Sequence, residues 1–206
     1  MSIKAIIFDM DGVLIDARDW HFEALNRALA LFGKEISRYD HLVTFDGLPT
    51  RKKLELLSQA GELPLGLHGV INRLKQQFTI EMVHSRCRPV FHHQYALSRL
   101  KREGFKLAVC SNSIRSTVET MMEKSDLARF LDFYLSNEDV LHSKPDPEMY
   151  NLAMKKLGLH PDECLIVEDN ENGIRAAQAT GAHLMRVACP DNVDYFSIRE
   201  TLAEYH

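Results

Sequence analysis

The segment Ile3–Gly12, with the sequence IKAIIFDMDG, decides the fold. Its largely apolar part, Ile3–Phe8, does not alternate with polar residues, which is typical of a strand buried on both faces of a parallel sheet. Asp9 and Asp11 follow directly, and Gly12 permits a tight turn beyond them. The segment therefore predicts a buried strand that ends in two carboxylates.

The rest of the sheet is predicted from the alternation that begins after Pro89. Strand patterns alternate there with helix patterns, which indicates parallel strands joined by right-handed crossovers. The fold class is therefore α/β, with a doubly wound parallel sheet. Strands are predicted at Lys106–Cys110, Phe133–Leu135, Cys164–Val167 and His183–Val187, and helices at His92–Glu103, Ser116–Phe130, Pro147–Leu157 and Gly173–Thr180.

The stretch between the first strand and Pro89 has only helical patterns. Apolar residues recur at helical spacing within Trp20–Phe32, and shorter helices are predicted at Arg51–Gln59 and Val70–Val83. We therefore expect two domains: an α/β core formed by residues 1–15 and 88–206, and a helical cap formed by residues 16–87.

Composition excludes several classes of protein. The chain has 206 residues, with 25 basic and 29 acidic side chains, and so lacks the cationic surface that nucleic-acid binding needs. No apolar run approaches the roughly 18–20 residues of a membrane span, and the N-terminus lacks signal-peptide features. The four cysteines are far apart and form no CxxC pair. We expect a monomeric cytoplasmic protein with reduced thiols.

Chemically active side chains follow the predicted strands. In open α/β sheets, ligands bind at the carboxyl ends of the strands, so we expect these side chains to meet at one edge. They are Asp9 and Asp11 after the first strand, Ser111, Asn112 and Ser113 after the second, Lys144 in the loop before the fourth, and Glu168 and Asp169 after the fourth.

Converging carboxylates predict a metal ion and a reaction. Neighbouring carboxylates repel unless a cation intervenes, and oxygen ligands in a site open to phosphate favour Mg²⁺. The reaction that fits is phosphoryl transfer, with Asp9 as the nucleophile and Asp11 as the general acid and base. Lys144 and Ser111 would hold the phosphoryl oxygens.

Each of these motifs alone is ordinary. Asp-x-Asp-Gly is often a plain turn or part of a calcium loop, and a lysine before Pro145 is usually on a surface loop. Ser-Asn-Ser can begin a helix, and Glu-Asp-Asn can cap one. Their order after successive strands is what favours a shared site.

The stretches FDMDGVLID (8–16), VCSNS (109–113), SKPDP (143–147) and VEDNENGIRAA (167–177) resemble the four motifs of the haloacid-dehalogenase-like (HAD) hydrolase superfamily. The resemblance is strongest to its β-phosphoglucomutase and sugar-phosphate phosphatase branch, which has a Rossmann-like core and a helical cap. It implies that Mg²⁺ is bound by Asp9, the backbone carbonyl of Asp11, and Asp169, with Glu168 close by. Asn112 and Ser113 are expected to contact the substrate.

The cap is expected to select the substrate. By resemblance, His21 lies at the cap hinge and residues 45–53 match a specificity loop in which Arg51 could grip the substrate. His21 could instead orient the hinge, and Arg51 could lie on a solvated face. The position of the mutase's cap arginine is occupied by Thr50, and that of a mutase lysine by Ile114. A mutase must bind both phosphates of a bisphosphate, so the loss of a cationic side chain favours hydrolysis.

These observations predict a Mg²⁺-dependent phosphatase that hydrolyses a small phosphorylated metabolite, a sugar or polyol phosphate, through a phospho-aspartate. One alternative is a sugar phosphomutase, which would need a bisphosphate. The other is a non-enzymatic phospho-acceptor signalling domain, against which Asp11 and the long cap argue.

Overall fold

The computed structural model describes residues 2–45 and 48–205. Its strands are β1 (Ala5–Phe8), β2 (Lys106–Cys110), β3 (Phe133–Leu135), β4 (Cys164–Glu168) and β5 (His183–Arg186). Within the described residues they form one parallel sheet in the order β3-β2-β1-β4-β5. The predicted α/β class and doubly wound parallel sheet are confirmed.

The helices occupy the connections between the strands. They are α1 (Arg18–Ala30), α2 (Arg38–Asp40), α3 (Thr50–Gln59), α4 (His68–Arg86), α5 (Phe91–Arg102), α6 (Arg115–Lys124), α7 (Glu148–Leu157), α8 (Glu171–Thr180) and α9 (Tyr195–Ala203). A π-helical turn, His41–Phe45, follows α2. Among the residues described, no helix combines the length and the apolar character needed to cross a membrane.

The helix predicted over Ser116–Phe130 is shorter in the structure, and this prediction was wrong at its C-terminal end. The helix α6 ends at Lys124, because Asp126 adopts a φ of 56°, which lies outside the helical region. Aspartate tolerates this left-handed conformation better than most residues. A short 3₁₀ turn, Ala128–Phe130, completes the connection to β3.

The central position of β1 follows from its composition. All of its residues are buried, as expected for a strand with neighbours on both edges and helices on both faces. Phe8 lies opposite Val109 of β2 and Val167 of β4. The next residues along the three strands are Asp9, Cys110 and Glu168, so the register brings these strand ends to one level.

A hydrophobic core packs against the strands that lead to Asp9, Cys110 and Glu168. It combines residues of β1, β2 and β4 with the buried sides of α7 and α8, and Tyr150 is its largest fully buried side chain. Burial of this apolar surface is the main favourable term that fixes the strand ends in place.

The chain divides into two compact units. One unit contains the residues up to Asp16 and from Cys87 onward, and it holds the sheet. The other is Ala17–Arg86, whose described regular elements are all helical. In the helical unit, α1 packs against α4, and its core includes Leu25, Leu29, Phe45, Leu54 and Ile71.

Candidate active site

Asp9 lies immediately after β1, and its side chain is almost fully buried. Its backbone N–H donates to the carbonyl of Val167 at 2.9 Å, which ties the residue to β4. Burial raises the pKa of the Asp9 carboxyl well above its usual value, neighbouring carboxylates add to this, and Lys144 opposes it. A cation at this carboxyl would therefore favour its ionised form.

Lys144 is the positive charge of the site. Its buried ammonium donates to Oδ1 of Asp9 at 2.6 Å, to Oε1 of Glu168 at 2.7 Å and to the carbonyl oxygen of Cys110 at 2.8 Å. Burial lowers the pKa of Lys144, but the charges of Asp9 and Glu168 outweigh it and the net shift is upward. Lys144 therefore stays charged next to Asp9.

Glu168, the last residue of β4, is held from several sides. Its Oε1 accepts from Lys144 and from the hydroxyl of Tyr150, and its Oε2 accepts from the backbone N–H of Asp169 at 3.2 Å. A Cβ at Gly173 would lie 1.8 Å from Oε1, so only a glycine fits there beside the carboxylate. Burial, followed by the charges of Glu168 and Asp9, raises the pKa of Tyr150 well above its usual value, so its hydroxyl remains a donor.

Asp11 faces the hydroxyl groups that follow β2. Its Oδ2 accepts from the hydroxyl of Ser113 at 3.0 Å and lies 3.5 Å from that of Ser111. The hydroxyl of Ser111 also accepts from the backbone N–H of Ser113 at 3.0 Å. The structure thus brings together Asp11, Ser111 and Ser113, as the sequence predicts from their positions after β1 and β2.

Asn112 connects two loops of the site. Its side-chain amide donates to the carbonyl of Lys144 at 3.2 Å and accepts from the backbone N–H of Lys144 at 3.1 Å. Asn137 in turn donates to the carbonyl of Asn112 at 2.9 Å. This pairing fixes the backbone from which the Lys144 side chain extends.

An acidic cluster could hold a metal ion. Asp9, Glu168 and Asp169 each offer a carboxylate oxygen, and these oxygens lie within 4.8 Å of one another. At Gly12, where φ is 93°, a Cβ would come 2.1 Å from Oδ2 of Asp169, so the glycine leaves room for that carboxylate. Hard oxygen donors in a compact group fit Mg²⁺ and do not fit a thiolate-bound metal.

The predicted cap residues lie in the helical unit. Nδ1 of His21 lies 3.1 Å from Nζ of Lys75, which is itself buried. The side chain of Arg51 is 89% exposed and pairs with Glu55 one helical turn further on. Of the predicted specificity loop 45–53, residues 46 and 47 lie outside the described residues.

The sequence did not identify Tyr150 and Gly173 as neighbours of Glu168, or Lys75 as a neighbour of His21. Tyr150 lies six residues after Lys144, and Gly173 lies five residues after Glu168, so both are within the helix that follows a recognised motif. Neither residue carried a signal, because Tyr150 fits an ordinary core position and Gly173 is predicted as the first residue of its helix, which begins at Glu171 in the structure.

Comparison with known proteins gives the class to which this fold and site belong. The sequence model of the haloacid dehalogenase-like hydrolase family matches residues 6–187, and the chain belongs to that family. It is an enzyme of the phosphatase type within the family.

The more particular similarities are to phosphatases of small molecules. The phosphorylated carbohydrates phosphatase of Thermotoga maritima is 29% identical over 187 residues, covering 87% of this chain and 82% of that protein. The pyrophosphatase PpaX of Oceanobacillus iheyensis is 28% identical over 189 residues, covering 91% of this chain and 85% of that protein.

Solved structures share the fold. The β-phosphoglucomutase of Clostridium difficile superposes with a TM-score of 0.84 at 19% identity, covering 98% of both chains. CbbY of Rhodobacter sphaeroides, solved in complex with phosphate, gives a TM-score of 0.80 at 24% identity, covering 89% of this chain and 85% of that one. At these identities the likeness shows the fold alone.

Proposed function

We propose that this protein is a Mg²⁺-dependent phosphatase that hydrolyses a small phosphorylated metabolite, a sugar or polyol phosphate, through a phosphoryl group on Asp9. The observation that carries the proposal is the buried contact of 2.6 Å between Asp9 and Lys144 within the acidic cluster. A carboxylate held by a fixed charge beside a metal site is suited to attack an electron-poor phosphorus atom.

In the first step, a carboxylate oxygen of Asp9 forms a bond to phosphorus while the bond from phosphorus to the leaving oxygen breaks. Asp11 donates a proton to that oxygen, so the alcohol departs neutral. Lys144 holds Oδ1 of Asp9 in place and offsets the negative charge that gathers during transfer. Magnesium bound at the acidic cluster would supply charge neutralisation for the phosphoryl oxygens.

In the second step, Asp11 accepts a proton from water as the water oxygen bonds to the phosphorus. The bond between phosphorus and Asp9 then breaks, which releases phosphate and restores the carboxylate. The hydroxyl groups of Ser111 and Ser113 adjoin Asp11. We assign to them hydrogen bonds to the phosphoryl oxygens of the substrate. We assign Asn112, whose amide also pairs with the backbone of Lys144, to contact with the substrate, and His21 and Arg51 of the helical unit to the selection of the substrate.

The substrate class is supported by the relatives. The Thermotoga maritima protein is named as a phosphatase of phosphorylated carbohydrates, and a CbbY structure contains a xylulose bisphosphate. The PpaX relatives are named pyrophosphatases, so inorganic pyrophosphate belongs in the same test.

A screen of phosphorylated metabolites, read out as free phosphate, tests the proposal. We expect release that requires Mg²⁺, is stopped by a chelator and is abolished in Asp9→Asn. Asp19→Asn is the matched control, because Asp19 is an exposed residue paired with Arg38. Full turnover by Asp9→Asn would refute the mechanism. Stimulation by a sugar bisphosphate with little net phosphate release would instead indicate a mutase, and a phospho-aspartate lasting minutes would indicate a signalling domain.

A further inference from the structure

Tyr150 connects the hydrophobic core to the charged site. Its side chain is fully buried on α7 among the core residues that pack against the sheet. Its hydroxyl donates to Oε1 of Glu168, the same oxygen that accepts from Nζ of Lys144 at 2.7 Å. The carboxylate of Glu168 therefore links Tyr150 to the lysine that contacts Asp9.

The ring of Tyr150 makes a second contact with that lysine. Nζ of Lys144 lies 4.6 Å from the ring centroid, within the range of a cation–π interaction. Such an interaction is stronger when both groups are shielded from water, as they are here. Tyr150 thus touches Lys144 through its ring and Glu168 through its hydroxyl.

The surroundings of Glu168 leave its orientation dependent on these donors. Its second oxygen, Oε2, accepts from the backbone N–H groups of Asp169 and Asn170 at 3.2 and 3.5 Å, which are long contacts. Gly173 provides space against Oε1 but no donor side chain. The shorter contacts, from Lys144 and Tyr150, therefore determine where Oε1 points.

We infer that Tyr150 is a positioning residue, whose hydroxyl holds Glu168 in the orientation that keeps Lys144 against Asp9. The inference rests on the proposed function for its kinetic effect, since Tyr150 acts through Glu168 and Lys144 and does not touch the reacting atoms. Without the hydroxyl, Oε1 loses a donor and the carboxylate turns away from Lys144. The ammonium then loses an anchor, and its contact with Asp9 becomes less well defined.

The test compares Tyr150→Phe with Tyr195→Phe. Tyr195 on α9 also donates to a carboxylate, that of Glu103, but outside the acidic cluster. With an aryl phosphate and Mg²⁺, we expect Tyr150→Phe to lower kcat about 10-fold or more, the scale of losing one hydrogen bond to a charged group. KM should stay close to that of the unmodified protein, and Tyr195→Phe should leave both constants unchanged.

A double mutant tests the route through Glu168. If Tyr150 acts through that carboxylate, Tyr150→Phe should have little further effect on kcat in a Glu168→Ala background, which removes the acceptor. Independent, multiplying effects of the two substitutions would overturn the inference.

Crystal structures of the unmodified protein and of Tyr150→Phe give a readout that does not depend on activity. We expect the distance from Oε1 of Glu168 to Nζ of Lys144 to exceed hydrogen-bonding range in the variant. An unchanged Glu168 would overturn the inference whatever the kinetics. Absence of phosphate release from the unmodified protein would refute the proposed function, and the orientation of Glu168 would still decide the role of Tyr150.

Discussion

Replacing Lys144 by methionine tests the charge arrangement most severely. The substitution keeps the approximate length of the side chain and removes the ammonium that lies 2.6 Å from Asp9 and 2.7 Å from Glu168. The Lys144 and Glu168 side chains are only 3% and 1% exposed, so water cannot replace the lost partner. Breaking such a buried pair costs about 3–5 kcal/mol, because an uncompensated charge remains. At ~2–4 °C per kcal/mol for a chain of this size, the melting temperature should fall by roughly 6–20 °C.

The loss should depend on pH in a defined direction. Burial already raises the pKa of Asp9, and removing Lys144 removes the charge that opposes this rise. A carboxyl whose pKa is higher in the folded state contributes stability that is fully present below its unfolded pKa of about 4. That contribution is lost as the pH rises through the folded pKa. Lys144→Met should therefore be destabilised more at pH 8 than at pH 5.

Urea unfolding in EDTA, followed by circular dichroism at both pH values, measures these effects. Lys4→Met is the matched control, because Lys4 contacts Glu163 at the same 2.6 Å but its side chain is 59% exposed. Exposed ion pairs contribute little, so this control should resemble the unmodified protein. The reasoning is refuted if Lys144→Met matches Lys4→Met, or if its loss of stability is greater at pH 5.

Two further substitutions, Gly173→Ala and His93→Gln, probe the unit that contains the sheet. Gly173→Ala should lower both the melting temperature and kcat, because its Cβ would lie 1.8 Å from Glu168, whereas Gly66→Ala, with nothing within 4 Å, should change neither. Equal melting temperatures for the two variants would contradict the close approach. Burial lowers the pKa of His93, opposed by its hydrogen bond to the carbonyl of Pro190, so its contribution to stability is present above an unfolded pKa of about 6.5. That contribution should fall as the pH drops through the lower folded pKa. Urea midpoints measured between pH 7.5 and 5 should therefore decline less steeply in His93→Gln than in the unmodified protein. Parallel slopes would assign the decline to other groups.

The sheet could be predicted because its strands carry strong local signals. The apolar run Ala5–Phe8 before Asp9 has no polar face, which favours a central parallel strand. The strand at Cys164–Glu168 is apolar up to Val167, and all of its residues are buried. Parallel strands then bring Asp9 and Glu168 to one edge by topology alone, which is why the acidic cluster was predictable.

Elements without such a signal were missed or misplaced. The helix α9 was not predicted, although Asp194 caps it by accepting from the backbone N–H groups of Phe196 and Ser197. An N-cap residue marks a helix only when the residues after it show a clear apolar period. The helix α6 ends where Asp126 adopts a positive φ. An aspartate does not require that conformation, so its presence in the sequence does not mark the end of the helix.

The supporting contacts of the site could not be predicted from spacing. Tyr150 reads as a core aromatic on an amphipathic helix, and only the packing of α7 beneath the sheet brings its hydroxyl to Glu168. The family resemblance predicts that Asn112 contacts the substrate, and the spacing gives no sign of a contact with Lys144. In the structure, its amide pairs with the backbone of Lys144, a contact between loops that are 32 residues apart.

The central claim is that Asp9 itself receives the phosphoryl group, and acid quenching during turnover tests it directly. Borohydride reduction converts an acyl phosphate to an alcohol, which peptide mass spectrometry locates by residue. We predict the reduced residue at Asp9 in the unmodified protein and no such product in Asp9→Asn. Turnover with the reduced residue at another carboxylate such as Asp11, and none at Asp9, would contradict the account.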